Sequence, residues 1–254
     1  MLETLSKMEY PGRGIVVGKT IEDEILAIYF ITGRSDSSKA RRLRVSDDNQ
    51  FVFIQVTDPK ELEKGDPALL VYTAIAFGQE RIVISNGGQT DLIRATARAI
   101  RLDTLGQRDS LDILKYSFKE PYFVPKKDGT VMDLTSYEPD PNHTPRISTF
   151  IDYYGAAFSV IKRGASGEAD KVFDRVPLIS RKGRMITTYT GDNIEPLPSF
   201  IGKPIEVGIL GLGADLQEIA DTVYEALGEF RVSVACLIKR KDGTIDIKTK
   251  NLHE

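Results

Sequence analysis

Cysteine and histidine are scarce in this chain, which has one cysteine, Cys236, and two histidines, His143 and His253. A lone cysteine forms no internal disulfide, and its place between Ala235 and Leu237 reads as core packing. So few soft ligands argue against a dedicated zinc site, while a magnesium site built on carboxylates stays open. A serine–histidine–acid triad needs a histidine base, and with His253 in the tail only His143 remains. An N-terminal nucleophile needs a mature Ser, Thr or Cys, whereas the chain opens Met1-Leu2. Long apolar runs are missing too. Met1 to Lys19 lacks the core of a signal peptide and no window has the length of a membrane span, so the cytoplasm is the expected compartment. Charge of one sign is not in excess: 34 Lys and Arg meet 37 Asp and Glu, a net charge of -3. No global positive field would hold long nucleic acid, but a small anion needs only a local basic pocket.

What is present is an ordinary globular composition, with 254 residues and 41% hydrophobic side chains. Such a chain can bury a core without staples. β-Branched runs predict strands at Gly14 to Lys19 and Ile25 to Thr32, then at Phe51 to Thr57 and Arg81 to Ser85. Leu69 to Phe77 is apolar throughout, so periodicity leaves its type open. Thr90 to Leu102 and Ser110 to Phe118 read as helices, and Glu120 to Arg146 as a long irregular excursion. Strands resume at Arg146 to Ile151, Ala156 to Arg163, Lys171 to Ile179 and Met185 to Tyr189. A helix at Ala214 to Leu227 follows, then strands at Arg231 to Lys239 and Thr244 to Lys248 with a hairpin turn at Asp242-Gly243. Many strands with few helices predict an α+β chain of two packed sheets, with no boundary that would divide residues 1–254 into domains.

Four segments could carry chemistry. Ile31 to Ser35 leads into Lys39, Arg41, Arg42 and Arg44, whose planar donors suit a phosphate that Ser35 would help to hold. Composition alone favours a solvated basic loop balanced by Asp36, Asp47 and Asp48. Ser85 to Asp91 ends a strand in Asn86-Gly87-Gly88 and starts a helix, so backbone and amides can approach a ligand; a capped turn explains it equally well. Tyr137-Glu138-Pro139-Asp140, with Thr144-Pro145-Arg146 close behind, offers acid–base groups if buried, or is a polar loop. Gly208 to Asp215 hints at a dinucleotide turn, but the third glycine of that fingerprint falls on Leu216 and too few strands follow.

Taken in order, these segments resemble the archaeal-type inosine monophosphate (IMP) cyclohydrolase family. The matching residues are Tyr10-Pro11-Gly12-Arg13, Val17-Gly18-Lys19, Tyr29 to Ser35, Tyr72, Ser85 to Asp91, Tyr137-Glu138, Thr144 to Ile147, and Thr187-Thr188-Tyr189. The chain departs from the family pattern at Asp36 to Lys39, Thr73 and Ala76.

The resemblance implies a four-layer αββα sandwich of two mainly antiparallel sheets, similar to N-terminal nucleophile hydrolases but without their nucleophile. It also implies cofactor-free, dehydrative closure of 5-formamidoimidazole-4-carboxamide ribonucleotide to IMP. The alternatives are a relative that binds purine nucleotides without turnover, or an amide hydrolase on the same fold. On this resemblance Arg34, with Arg42 or Arg44, binds the 5′-phosphate or polarises the carboxamide, and Ser35 assists. Tyr72 donates to the formyl oxygen and Glu138 is the general base or acid. Asn86, Gly87, Thr90 and Asp91 shape the base and ribose pocket. Arg146 orients Glu138 or touches substrate, and Tyr189 lines the same cleft. The expected partner is a small purine ribonucleotide, with neither long nucleic acid nor membrane, and a homo-oligomer is expected.

Overall fold

A computed structural model describes residues 1–103, 109–209 and 215–253. The first half carries β1 (Arg13–Lys19), β2 (Ile25–Thr32), β3 (Arg41–Val45), β4 (Phe51–Val56), β5 (Thr73–Phe77) and β6 (Ile82–Ser85). A small ribbon of β7 (Phe123–Pro125) and β8 (Val131–Asp133) follows. The second half carries β9 (Arg146–Asp152), β10 (Gly155–Arg163), β11 (Ala169–Val176), β12 (Lys182–Thr187), β13 (Ile205–Gly208), β14 (Arg231–Lys239) and β15 (Ile245–Asn251). The helices are α1 (Leu2–Ser6), α2 (Asp36–Lys39), α3 (Pro59–Lys64), α4 (Pro67–Leu70), α5 (Gln89–Asp103), α6 (Ser110–Ser117) and α7 (Leu216–Ala226).

Two large sheets form, in the orders β13-β12-β1-β2-β14-β15 and β11-β10-β9-β6-β5-β4-β3. Neighbouring strands pair antiparallel throughout both. The alternation of side chains along each strand sorts the apolar residues into layers. In β1 and β2, Ile15, Val17, Ala27, Tyr29 and Ile31 face the other sheet, where they meet Leu43, Ile84, Ile147 and Phe158. Their neighbours Val16, Leu26, Ile28 and Phe30 face outward and pack under α7 through Ile219 and Val223. On the other sheet Val83, Phe150 and Ala157 face outward, under Ile93 of α5 and Leu114 of α6. Both faces of each sheet are therefore covered, giving helix, sheet, sheet and helix layers. This double burial is why the central strands read as unbroken apolar runs.

Several elements differ from the sequence expectation. Leu69 to Phe77 is split: α4 is capped by Asp66 and β5 begins at Thr73. Strand β3 was not expected, because three of its five residues are arginines. The long excursion contains the β7–β8 ribbon. Helix α7 starts at Leu216, capped by the Asp215 carboxylate, and residues 210–214 of the glycine-rich turn lie outside the described residues. The strand entering that turn, β13, pairs antiparallel with β12, so no parallel unit of the dinucleotide-binding kind is built there. No helix among the described residues is long and apolar enough to cross a membrane.

Candidate active site

One end of the sandwich gathers the starts of β1, β3, β5 and β9 and the ends of β2, β6 and β12. Arg13 opens β1 with the inward parity of Ile15 and Val17, and it is buried. Arg41 opens β3 with the inward parity of Leu43, and it is buried as well. Tyr29 projects from β2 into the same space, where its hydroxyl lies 3.4 Å from that of Tyr72. Glu138 comes from the long excursion and is buried beside Arg146, 3.6 Å from Oε1 to Nη1.

The electrostatics of this group are unusual for a protein interior. Burial opposes the Arg13 charge, but Tyr72, Glu138 and Tyr29 outweigh it and hold the guanidinium above its ordinary range. Burial and then the charge of Arg13 pull Arg41 down, yet a guanidinium stays protonated. Burial pushes the Glu138 carboxyl up, and Arg146, Arg13 and Arg41 pull it partly back. Burial also raises the Tyr29 hydroxyl, helped by Tyr72. Arg13 Nε and Arg41 Nη1 are buried without any hydrogen-bond acceptor among the described residues. Such donors are seldom left unsatisfied in an interior and suit an anionic or carbonyl oxygen.

A second string of polar groups borders the first. Thr144 Oγ1 donates to Asp140 Oδ2 at 2.7 Å. Its single proton is thereby used, so Tyr189, whose oxygen lies 2.8 Å away, must donate to Thr144. Tyr189 stacks on Tyr10 at 5.8 Å, and burial pushes its hydroxyl up to about 12.

The residues expected from sequence divide into three groups. Tyr72, Glu138, Arg146 and Tyr189 lie at this end of the sandwich. Asn86, Gly87 and Thr90 are close by but serve the framework. Asn86 Oδ1 accepts from Ile147 N at 2.8 Å and Gln89 Nε2 at 3.0 Å, and its Nδ2 donates to Pro145 O at 2.8 Å. Thr90 Oγ1 leans on Gly87 O at 3.4 Å, and Asp91 accepts from Thr73 Oγ1 at 3.3 Å. A Cβ at Gly87 would fall 2.5 Å from Arg146 Nη1 and 2.6 Å from Gln89 Oε1, so a side chain there would push those two groups aside.

The basic cluster is the third group, and strand parity divides it. Arg42 points away from Arg41 and donates to Gln55 Oε1 at 3.1 Å, while Arg44 is exposed and pairs with Asp47 at 3.8 Å. Arg34 lies over the Tyr10 ring and binds Asn193 at 2.9 Å and Glu195 at 2.6 Å. Ser35 caps α2, accepting from Ser38 N at 3.2 Å.

Known proteins resemble this chain in sequence. Residues 10–116 and 109–244 match the model of a family described as IMP cyclohydrolase-like protein. The chain belongs to the IMP cyclohydrolase-like family. It is 30% identical over 246 residues to the IMP cyclohydrolase of Methanocaldococcus jannaschii, covering 95% of this chain and 98% of that protein. It is 29% identical over 201 residues to the IMP cyclohydrolase of Methanococcus maripaludis strain C7, covering 78% and 84%. With the strain C6 protein of the same name it shares 27% over 236 residues, covering 92% and 96%.

For this IMP cyclohydrolase-like chain, sequence reasoning gave Arg13 and Tyr29 no role, and it named Arg41, Asp140 and Thr144 only as members of candidate segments, without a role of their own. Strand parity would have found the arginines, since each lies two residues from an inward apolar side chain. Among the described residues no group of three or more His, Cys, Asp and Glu is placed to hold a metal ion. Ala76 is buried in mid-strand, paired with Val83 and Phe51, and Thr73 serves Asp91.

Proposed function

We propose that this chain closes the second ring of a purine, converting 5-formamidoimidazole-4-carboxamide ribonucleotide to IMP with loss of water. The observation that carries the reading is the pair of buried guanidiniums, Arg13 and Arg41, grouped with Glu138 and the Tyr29–Tyr72 pair. The names of the relatives support the same chemistry.

In this reading the carboxamide nitrogen attacks the formyl carbon. Tyr72 and one of the buried arginines stabilise the oxygen that gains charge. Glu138 takes a proton from the attacking nitrogen and hands it to the charged oxygen, making a hydroxyl; a second N–H proton, lost as the ring C=N bond forms, then joins that hydroxyl, so one water leaves and no electrons are transferred. The other arginine meets an anionic part of the substrate, and Arg146 positions Glu138. Most of the acceleration comes from holding the two arms together. The reading takes a small purine ribonucleotide in the cytoplasm and needs no cofactor, with a homo-oligomer as the working form and kinship to the N-terminal nucleophile hydrolase fold.

The test is to mix purified, metal-free protein with the formamido ribonucleotide and follow IMP by ultraviolet absorbance. Saturable formation of IMP is expected. Tight binding of IMP without turnover would instead make this a binding relative. Full activity in both Tyr72→Phe and Glu138→Gln would remove the catalytic assignment.

A further inference from the structure

The end of the sandwich opposite Arg13 holds a cavity of about 390 Å³, where β1, β2, β11 and β14 finish or begin against the β9–β10 turn. Lys19, Tyr153, Tyr154, Leu178, Lys239 and Lys241 are among its walls. Most charges around it are already matched. Lys19 pairs with Asp23 at 3.0 Å, and Arg240 with Asp246 at 2.7 Å and Glu24 at 3.3 Å. Asp152 is used by its own turn and by α6, its Oδ1 accepting from Tyr154 N at 2.8 Å, Gly155 N at 3.1 Å and Ser110 Oγ at 2.9 Å.

Two cations remain. Among the described residues, neither Lys239 nor Lys241 has a carboxylate at ion-pair distance. Lys239 is only 8% exposed, because it continues the inward parity of Leu237, and its ammonium rests 4.7 Å from the centre of the Tyr153 ring. Burial lowers its basicity, which Asp152 and Glu80 partly restore. The side chain is covered, but its ammonium opens onto the cavity, where it meets the Tyr153 ring face and no hydrogen-bond acceptor from the described residues. Beside it, Tyr153 and Tyr154 are 71% and 59% exposed, two neighbouring ring faces turned to solvent at the cavity mouth.

We propose that this cavity is a second ligand site, for a nucleoside monophosphate whose base lies on Tyr153 or Tyr154 and whose phosphate meets Lys239 and Lys241. The volume lies within the range of small-molecule pockets. Base stacking on a tyrosine tolerates any base, so the site selects ring plus phosphate rather than one nucleotide. This inference stands apart from the ring-closing reading, because none of its residues belongs to the Arg13 cluster.

The probe is AMP, titrated calorimetrically into the full chain, with adenosine and inorganic phosphate as its separated halves. AMP is expected to bind more tightly than either half. Lys239→Gln, Lys241→Gln and Tyr153→Ala should each weaken it about tenfold, the size of one good polar or stacking contact. Arg13→Gln should leave that binding in place, whether or not ring closure survives. The proposal fails if AMP does not bind at millimolar concentration, or if Arg13→Gln abolishes binding while the lysine variants keep it. It fails equally if phosphate binds as tightly as AMP. Lys241 lies on the exposed turn before β15, so its variant remains informative even if Lys239→Gln does not fold.

Discussion

Arg13 Nε and Arg41 Nη1 have no acceptor among the described residues, and a guanidinium in that condition is destabilising until an oxygen reaches it. Arg13→Gln or Arg41→Gln should therefore cost roughly 100-fold or more in kcat/KM, the scale of losing one preorganised oxyanion donor. The same assay with Arg34→Ala should show a smaller loss, because Arg34 is engaged by Asn193 and Glu195. Glu138 makes a pH prediction. Its carboxyl titrates above the ordinary carboxylate range, and as a base it works only when ionised. The value of kcat/KM should then rise as pH climbs through that elevated pKa, and Glu138→Gln should remove this limb together with most of the rate. A profile whose acidic limb is unchanged in Glu138→Gln would show that another group titrates.

Among the elements, the join between β6 and β9 governs where the site residues sit. Asn86 bridges the end of β6 to Pro145 and Ile147, so it fixes the start of the strand that carries Arg146. Asn86→Ala should lower stability by on the order of 2 kcal/mol, by leaving Ile147 N and Pro145 O without partners, and this is measurable by denaturant titration. Much of this level was legible in the sequence. The β-branched runs marked β1, β2 and β14, and the Ser85 to Asp91 segment does end a strand and open α5. Less legible was β3, where Arg-Arg-Leu-Arg-Val hides its alternation because arginine occupies both faces. Read as one basic cluster, Arg41, Arg42 and Arg44 looked equivalent. Parity sends the first inward and the other two outward, a distinction that needs the strand itself. Glu138 and Arg146 were legible as a pair, while Arg13 was passed over because it precedes the apolar residues that define its strand.

At the scale of the whole molecule, three buried guanidiniums among the described residues, Arg13, Arg41 and Arg146, face one buried carboxylate, Glu138. Binding an anion to the native state alone raises its stability by RT ln(1 + [L]/Kd), about 2.7 kcal/mol at a hundredfold excess over Kd. For a chain of 254 residues that corresponds to a rise in Tm of roughly 5 °C or more. Scanning calorimetry with and without IMP measures it, and an unchanged Tm at saturating IMP would mean that this anion does not complete the cluster. The imbalance reaches beyond catalysis. A protein whose interior is completed by its own metabolite opens more often when that metabolite is scarce, and cellular proteases degrade what opens. The abundance of this chain should therefore follow nucleotide supply, with the pool of ligand setting how long each molecule survives.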